Sequence, residues 1–341
     1  MKTTARERLV AMIGALVIAL GWVAAARAEP IEVKALPLAF NPAAPLKSGN
    51  GRLVSRGGLE LRAGVKEFGG FSAARVSADG TRLIASSDTG SWFSATLLYD
   101  EADRLAGLSS AHLAPMTRPD GGGRFDPEAL VISEDGALLV ATERTHRLLR
   151  YAGVITGRQF ARDADGLARL APTLLPAPDG FAAMGSNEGI ETLLRLTDGR
   201  LLAIEEGGEA EGEALSRAWL IGAGGASQTL SLRRSTNFRP TDAALLPDGD
   251  VLLLERRYTE IGGVAARLRV IEGKSIEPGA QLDGPIIATL IPPVTVDNME
   301  ALALYQRDGE TRLLMMSDDN FNAGLQRTLL LQFVLTPAGR K

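Results

Sequence analysis

Five Asp-Gly pairs, each set between two short apolar runs, recur along the chain at Asp79-Gly80, Asp135-Gly136, Asp198-Gly199, Asp248-Gly249 and Asp308-Gly309. Such pairs signal hairpins, because the positive φ angles of tight turns suit Gly and Asp. Successive turns lie 56, 63, 50 and 60 residues apart, an interval with room for about four strands. The flanking runs, such as Ala129–Ser133 with Ala137–Ala141 and Ala243–Leu246 with Val251–Leu254, are apolar without clean alternation. That is the pattern of strands covered on both faces. A repeated unit of four antiparallel strands, flanked on both faces by its neighbours, is a propeller blade. The last repeat supplies three strands, ending with Leu329–Leu335, and the stretch Leu53 to Arg62 is expected to add the fourth and close the ring. We therefore expect an all-β propeller of four-stranded antiparallel blades, five in number, with six as the alternative. A β-sandwich with coincidental turns competes with it; an α/β fold is disfavoured by the lack of sustained helical periodicity.

Lys2, Arg6 and Arg8 precede an uncharged run from Leu9 to Ala26 and an Ala26-Arg27-Ala28 site, which reads as a signal peptide over residues 1–28. An uncleaved anchor is the alternative. Residues 29–341 are then expected to form one propeller domain, periplasmic or secreted, monomeric and without a stable membrane anchor. The absence of cysteine excludes disulfides, zinc–thiolate and iron–sulfur sites and a cysteine nucleophile. Two histidines, His112 and His146, cannot make a three-histidine zinc site. The net charge of −4 becomes more negative once the basic leader is discounted, which argues against nucleic-acid binding.

Carboxylates recur at fixed distances from the turns. Glu128, Glu191, Asp242 and Glu300 precede their turns by six to eight residues, with Ser72 at the matching place in the first repeat. Asp88, Glu143, Glu206, Glu255 and Asp318 follow theirs by six to nine. Residues equally far from a hairpin turn lie at the same end of the sheet, so these nine acids are expected to ring the mouth of the central channel, opposite the turns. Such a cluster needs cations, arginines or shared protons to offset its repulsion. Calcium, which takes six to eight oxygens, is the expected cofactor, with Asp319 and the amides of Asn187, Asn298 and Asn320 as further donors. Arg144 and Arg256 are the competing compensation, or else clamps on an anionic substrate. His146 is a candidate acid or base beside the mouth. The acidic, glycine-rich stretch Glu205–Glu213 reads as a loop over the mouth, and Trp92, Trp219 and Tyr258 as candidate rim aromatics.

Several segments together resemble the phytase-like propeller domain labelled "esterase-like activity of phytase". They are Gly69-Gly-Phe-Ser-Ala with Ser87-Asp88, Asp126-Pro-Glu-Ala-Leu130 with Thr142-Glu143-Arg144, and Asn187-Glu-Gly-Ile-Glu191. Leu254-Glu255-Arg256, Asp297-Asn-Met-Glu-Ala-Leu302 and Ser317-Asp-Asp-Asn-Phe321 complete the set. The resemblance spans Phe68 to Leu335 and implies a propeller with phosphoester or ester hydrolysis. On this basis we expect a calcium-dependent hydrolase of an anionic small-molecule ester, with Glu128, Glu191 and Glu300 in acid, base or ligand roles. A propeller lactonase with a single channel metal, or a non-catalytic binding or scaffold propeller with structural calcium, are the alternatives.

Overall fold

The computed structural model describes residues 27–38, 53–119, 125–152, 164–186, 188–207, 215–235, 237–322 and 324–336. Among these, twenty strands form five antiparallel sets of four, while the short Glu29–Pro30, Val33–Pro37 and Gln281–Leu282 add to the last strands of the first, fifth and third sets. The first set is Phe71–Val76, Arg82–Ser87, Ser91–Tyr99 and Leu105–Pro115, and the second Pro127–Ile132, Leu138–Thr142, Arg147–Tyr151 and Pro172–Leu175. Ile190–Arg195, Leu201–Glu205, Leu215–Ile221 and Ser227–Arg233 make the third. The fourth is Arg239–Leu245, Val251–Thr259, Gly263–Ile271 and Ile286–Leu290. The fifth takes Met299–Arg307, Glu310–Ser317 and Thr328–Leu335 from the end of the chain and Leu53–Ala63 from its beginning. Leu53 pairs with Leu335 and Leu61 with Thr328, which is the expected closure between the two ends. First strands of successive sets pack side by side, and the fifth packs on the first. The chain is a β-propeller. The leader read over residues 1–28 lies, except for Arg27 and Ala28, outside the described residues. Among the described residues no helix is long and apolar enough to cross a membrane.

Each strand faces a different neighbour on each side, which explains the runs that are apolar throughout. Leu138 and Val140 join the core shared with the first set, whereas Leu139 and Ala141 join the one shared with the third. Five such cores lie between successive sets, the last between the fifth and the first. Leu252, fully buried between the fourth and fifth sets, illustrates the energetics. Its truncation to Ala costs about 2–5 kcal/mol.

Only glycine takes positive φ in four of the five Asp-Gly turns. There the aspartate instead accepts the amide two residues on, as Asp79 does from Thr81 and Asp198 from Arg200, both at 3.0 Å. The fifth turn alone puts both residues in the left-handed region, Asp308 at φ 50° and Gly309 at 77°.

Every first strand carries a register break at the same place, leaving Ser72, Glu128, Glu191, Thr241 and Glu300 as the extra, unpaired residue. A β-bulge of this kind re-aims one side chain and shifts the count of all that precede it. A few residues further along these strands the channel is plugged. Arg75 forms a bidentate pair with Asp242, at 2.7 and 2.9 Å, and donates to the carbonyls of Ala74, Leu193 and Leu302. Asp242 also accepts the amides of Leu302 and Ala243, both at 2.8 Å. One guanidinium thus ties together the first strands of four sets.

Candidate functional site

At the end opposite the Asp-Gly turns, the bulged glutamates Glu128, Glu191 and Glu300 meet Asp88, Glu143, Glu206 and Asp318, which follow their second strands, and Arg256 at the matching place within the longer Val251–Thr259. The amides of Asp88, Glu143, Glu206 and Asp318 all donate back to the segment before the bulge, to Gly70, Asp126, Gly189 and Asn298. Backbone pairing therefore fixes each carboxylate beside its bulge.

Asp126, Glu128 and Glu143 offer one oxygen each within 4.8 Å of one another. Burial, then the charges of Glu191, Asp126 and Glu143, push Glu128 well above the carboxylate range. Glu191, 7% exposed, is raised likewise by burial and by Glu206 and Glu300. Burial with Asp318 and Asp126 nearby takes Asp88 to about 7. Asp318 rises to about 6, mainly through burial, although the amide of Asn320 works against it.

Glu300 is held from one side only. Its Oε1 faces Arg256 Nε at 2.7 Å and accepts Asn298 Nδ2 at 2.8 Å, while Oε2 is buried without a hydrogen-bond partner. Burial raises it to about 7, against the pull of Arg256. Arg256 also pairs with Glu206 Oε1 at 3.0 Å. Burial opposes its charge, but Glu300, Glu206 and Glu191 more than offset that and hold the guanidinium charged. Arg144, at φ 58°, sits on the other side, with Nε 2.5 Å from Asp126 Oδ2 and Nη2 3.6 Å from Glu143. Both arginines are engaged by the ring itself.

Two of the expected ring acids are not brought to it: Asp242 stands one residue past the bulge and Glu255 one residue short of the mouth. Thr241 is the bulged residue of the fourth set, so Asp242 takes the next register position, opposite Leu254, and plugs the channel with Arg75. On the second strand Glu255 pairs across to Arg267 and Arg269 inside the fourth sheet, fully buried, and Arg256 takes the mouth position. Glu205 does the same in the third sheet with Arg217, at 2.7 Å.

Asp319 is buried beside the ring but is engaged in building it. Its Oδ1 accepts the amides of Gly70 and Phe321, and Oδ2 the hydroxyl of Thr328. Gly69 and Gly70 have to be glycine here, since both have positive φ and a Cβ would collide with Asp319 at one and Asp88 at the other. Asn298 is a partner of Glu300, whereas Asn320 is exposed. His146 lies against the backbone of Met184 and Gly185, with Arg217 and Glu188 as its charged neighbours, and burial lowers its pKa. It is not among the ring carboxylates. Trp92 and Trp219 are buried against Tyr151 and Phe181, and Tyr258 is exposed. Asn187 and residues 208–213 of the expected mouth loop lie outside the described residues.

The family model described as "Phytase-like: Esterase-like activity of phytase" matches residues 66–321. The chain belongs to this family. The match takes in every ring carboxylate and both arginines. No curated protein matches the sequence. Among solved structures, a luciferin-regenerating enzyme aligns at 10% identity over 81% of this chain and 97% of its own, with a TM-score of 0.45. Virginiamycin B lyase from Staphylococcus aureus aligns at 13% identity over 84% and 85%, with a TM-score of 0.37. The PQQ-bound aldose sugar dehydrogenase from Streptomyces coelicolor aligns at 13% identity over 89% and 99%, with a TM-score of 0.36.

Within this phytase-like propeller, Asp126 is the cluster member that the spacing from the turns misses. It stands before its strand, two residues ahead of Glu128. An Asp-x-Glu pair at i and i+2 on extended backbone was the available signal.

Proposed function

We propose that this phytase-like propeller is a hydrolase of phosphate or related anionic esters, using a hard divalent cation, calcium by donor chemistry, held by Asp126, Glu128 and Glu143. The observation that carries the reading is the three convergent carboxylate oxygens of that cluster, beside further buried acids that Arg256 and Arg239 offset in part. All-oxygen donors of this kind fit calcium better than a softer metal. When bound, the cation would polarise the scissile phosphoryl or acyl oxygen and offset the charge of an anionic substrate.

The chain's own residues supply the rest. Glu300 is anchored through Oε1 and leaves Oε2 free, so it can hold or take up a proton at that atom near neutral pH. Glu191, desolvated and among like charges, is a second proton carrier. Arg256 fixes Glu300 and Glu206, and the Arg75–Asp242 plug makes the mouth the route for both substrate and product.

Elemental analysis of protein purified without chelator, followed by a calcium titration of thermal stability, tests this directly. Stoichiometric calcium is expected. At a free concentration 100 times the Kd it should add about 2.7 kcal/mol of stability, and Glu128→Gln should abolish the response. Phosphate release from simple monoesters should require calcium. No bound metal together with no thermal response overturns the reading and leaves the ring balanced by arginines and retained protons.

A further inference from the structure

Beside Asp88, the mouth is walled by an aromatic ring that the backbone holds in an uncommon conformation. Asn320 and Phe321 both stand in the left-handed region, at φ 47° and 50°, which is rare for non-glycine residues and persists where the surroundings enforce it. Here the ring acids enforce it: Asp318 accepts the amide of Asn320 at 2.7 Å and Asp319 that of Phe321 at 3.1 Å. The Phe321 ring edge and the Asp88 carboxylate converge on Gly70, where a Cβ would strike both. The ring is nevertheless 39% exposed. Leu325, on the same loop, is 84% exposed. In the neighbouring set, the hairpin that leaves the mouth after Arg256 carries Tyr258, 67% exposed, and a fully exposed Ile261 at its tip. Apolar side chains thus project at the mouth end of two adjacent sheets.

The cationic side of the mouth is already engaged. Arg144 is taken by Asp126 and Glu143, Arg256 by Glu206 and Glu300, and Arg239 by the Gly207 carbonyl at 2.8 Å and by Glu206. A substrate bearing many phosphates would have to displace these pairs, whereas one with a single anionic head and an apolar body would use the wall.

We propose that the substrate is a phosphate monoester with an aryl or other apolar group, and that Phe321 is the specificity-determining residue that packs against that group. This rests on the hydrolase reading above and deepens it. In the reaction, the water oxygen forms the new bond to phosphorus, the bond from phosphorus to the aryl oxygen breaks, and a proton from water ends on the leaving oxygen.

Hydrolysis of 1-naphthyl phosphate, glycerol 2-phosphate and inositol hexakisphosphate by the full chain with calcium provides the test. We expect kcat/KM highest for the naphthyl ester. Phe321→Ala should lower that value at least tenfold, mainly through KM, leave glycerol 2-phosphate within twofold, and leave the thermal midpoint in place. Phe321→Leu should keep most of the preference, and Leu325→Ser should weaken it less than Phe321→Ala. A preference for the hexakisphosphate, or equal losses on all three esters in Phe321→Ala, overturns the proposal. Calorimetric binding of the non-hydrolysable 1-naphthylphosphonate separates it from the hydrolase reading. If nothing is hydrolysed, but the phosphonate binds the parent at least tenfold more tightly than Phe321→Ala, the wall stands and the hydrolase reading falls. Equal binding to both proteins removes the wall.

Discussion

The plug and the mouth lie a few residues apart on the same first strands and bury charge in opposite ways. In the plug one acid meets one base. Burial pushes Asp242 upward, while the Arg75 guanidinium and the amides of Leu302 and Ala243 pull the other way, and every strong contact is made within the protein. At the mouth the acids outnumber the bases, Glu300 keeps one oxygen without a partner, and the carboxylates rise toward neutrality. A matched buried pair with satisfied hydrogen bonds serves to fix geometry. An unmatched cluster, held in place by the same strands, is maintained at a cost that an incoming cation or substrate can relieve. The lesson is spatial: the bulge separates the two, sending Glu191 and Glu300 to the mouth and Asp242 to the plug.

Breaking the plug should give the largest effect. Arg75→Ala leaves Asp242 buried without its guanidinium and frees three carbonyls, so urea denaturation should show a loss of about 3–5 kcal/mol. The double variant Arg75→Met with Asp242→Leu should recover much of it, because an apolar pair replaces the ionic one. If Arg75→Ala is as stable as the parent, the plug is not what holds the four strands.

The mouth should respond to pH with the opposite sign from ordinary paired carboxylates. Asp88 and Glu300 titrate near 7 and Asp318 near 6 in the folded chain. Between about pH 4 and 7 the native state keeps protons that the unfolded chain has released. Stability of the cation-free protein is then greatest at the acid end of this window and falls as pH rises through it. Glu300 alone accounts for about 3 kcal/mol of the fall. Chelated protein should melt higher at pH 5 than at pH 8, and saturating calcium should narrow that gap. A flat profile would mean that the carboxylates are compensated within the fold.

Removing one charge sharpens the same contrast. Glu128→Gln should stabilise the chelated protein by about 1–2 kcal/mol at pH 8, since it deletes a desolvated charge among three others. In the parent protein the cation would provide that relief instead. Destabilisation would show that Glu128 is paired in a way that the ring geometry does not describe.

The propeller was legible because its signals are local. Asp-Gly turns at a regular interval, doubly apolar strands, and a last repeat one strand short sufficed to anticipate how Leu53–Ala63 meets Thr328–Leu335. The ring was legible only to within the one- or two-residue tolerance of a count from the turn, because every first strand carries the same bulge. Asp242 stands six residues before its turn, whereas Thr241 at seven matches Ser72, Glu128 and Glu191; Glu255 stands six after its turn, whereas Arg256 at seven matches Glu143 and Glu206. No local pattern announces a bulge whose extra residue can be Ser, Thr or Glu. The roles of Arg144 and Arg256 were open for a related reason. Which carboxylate a guanidinium finds depends on neighbouring sheets, and Arg256 spans three of them by touching Glu206 and Glu300.

The smallest expected effect separates the two remaining roles for Arg144. Its side chain is 29% exposed while pairing with Asp126 and Glu143, two of the three carboxylates proposed to hold the cation. A partly solvated pair contributes little, so Arg144→Ala should change stability by less than about 1 kcal/mol. Its effect on calcium should be clearer. Arg144 competes with the ion for the same oxygens, so its loss leaves Asp126 and Glu143 more fully available, and calorimetry should show calcium binding a few-fold more tightly. Were Arg144 instead a clamp on substrate phosphate, calcium affinity would stay put while KM for a phosphate ester rose, and the contrast between a matched plug and an unmatched mouth would no longer extend to this arginine.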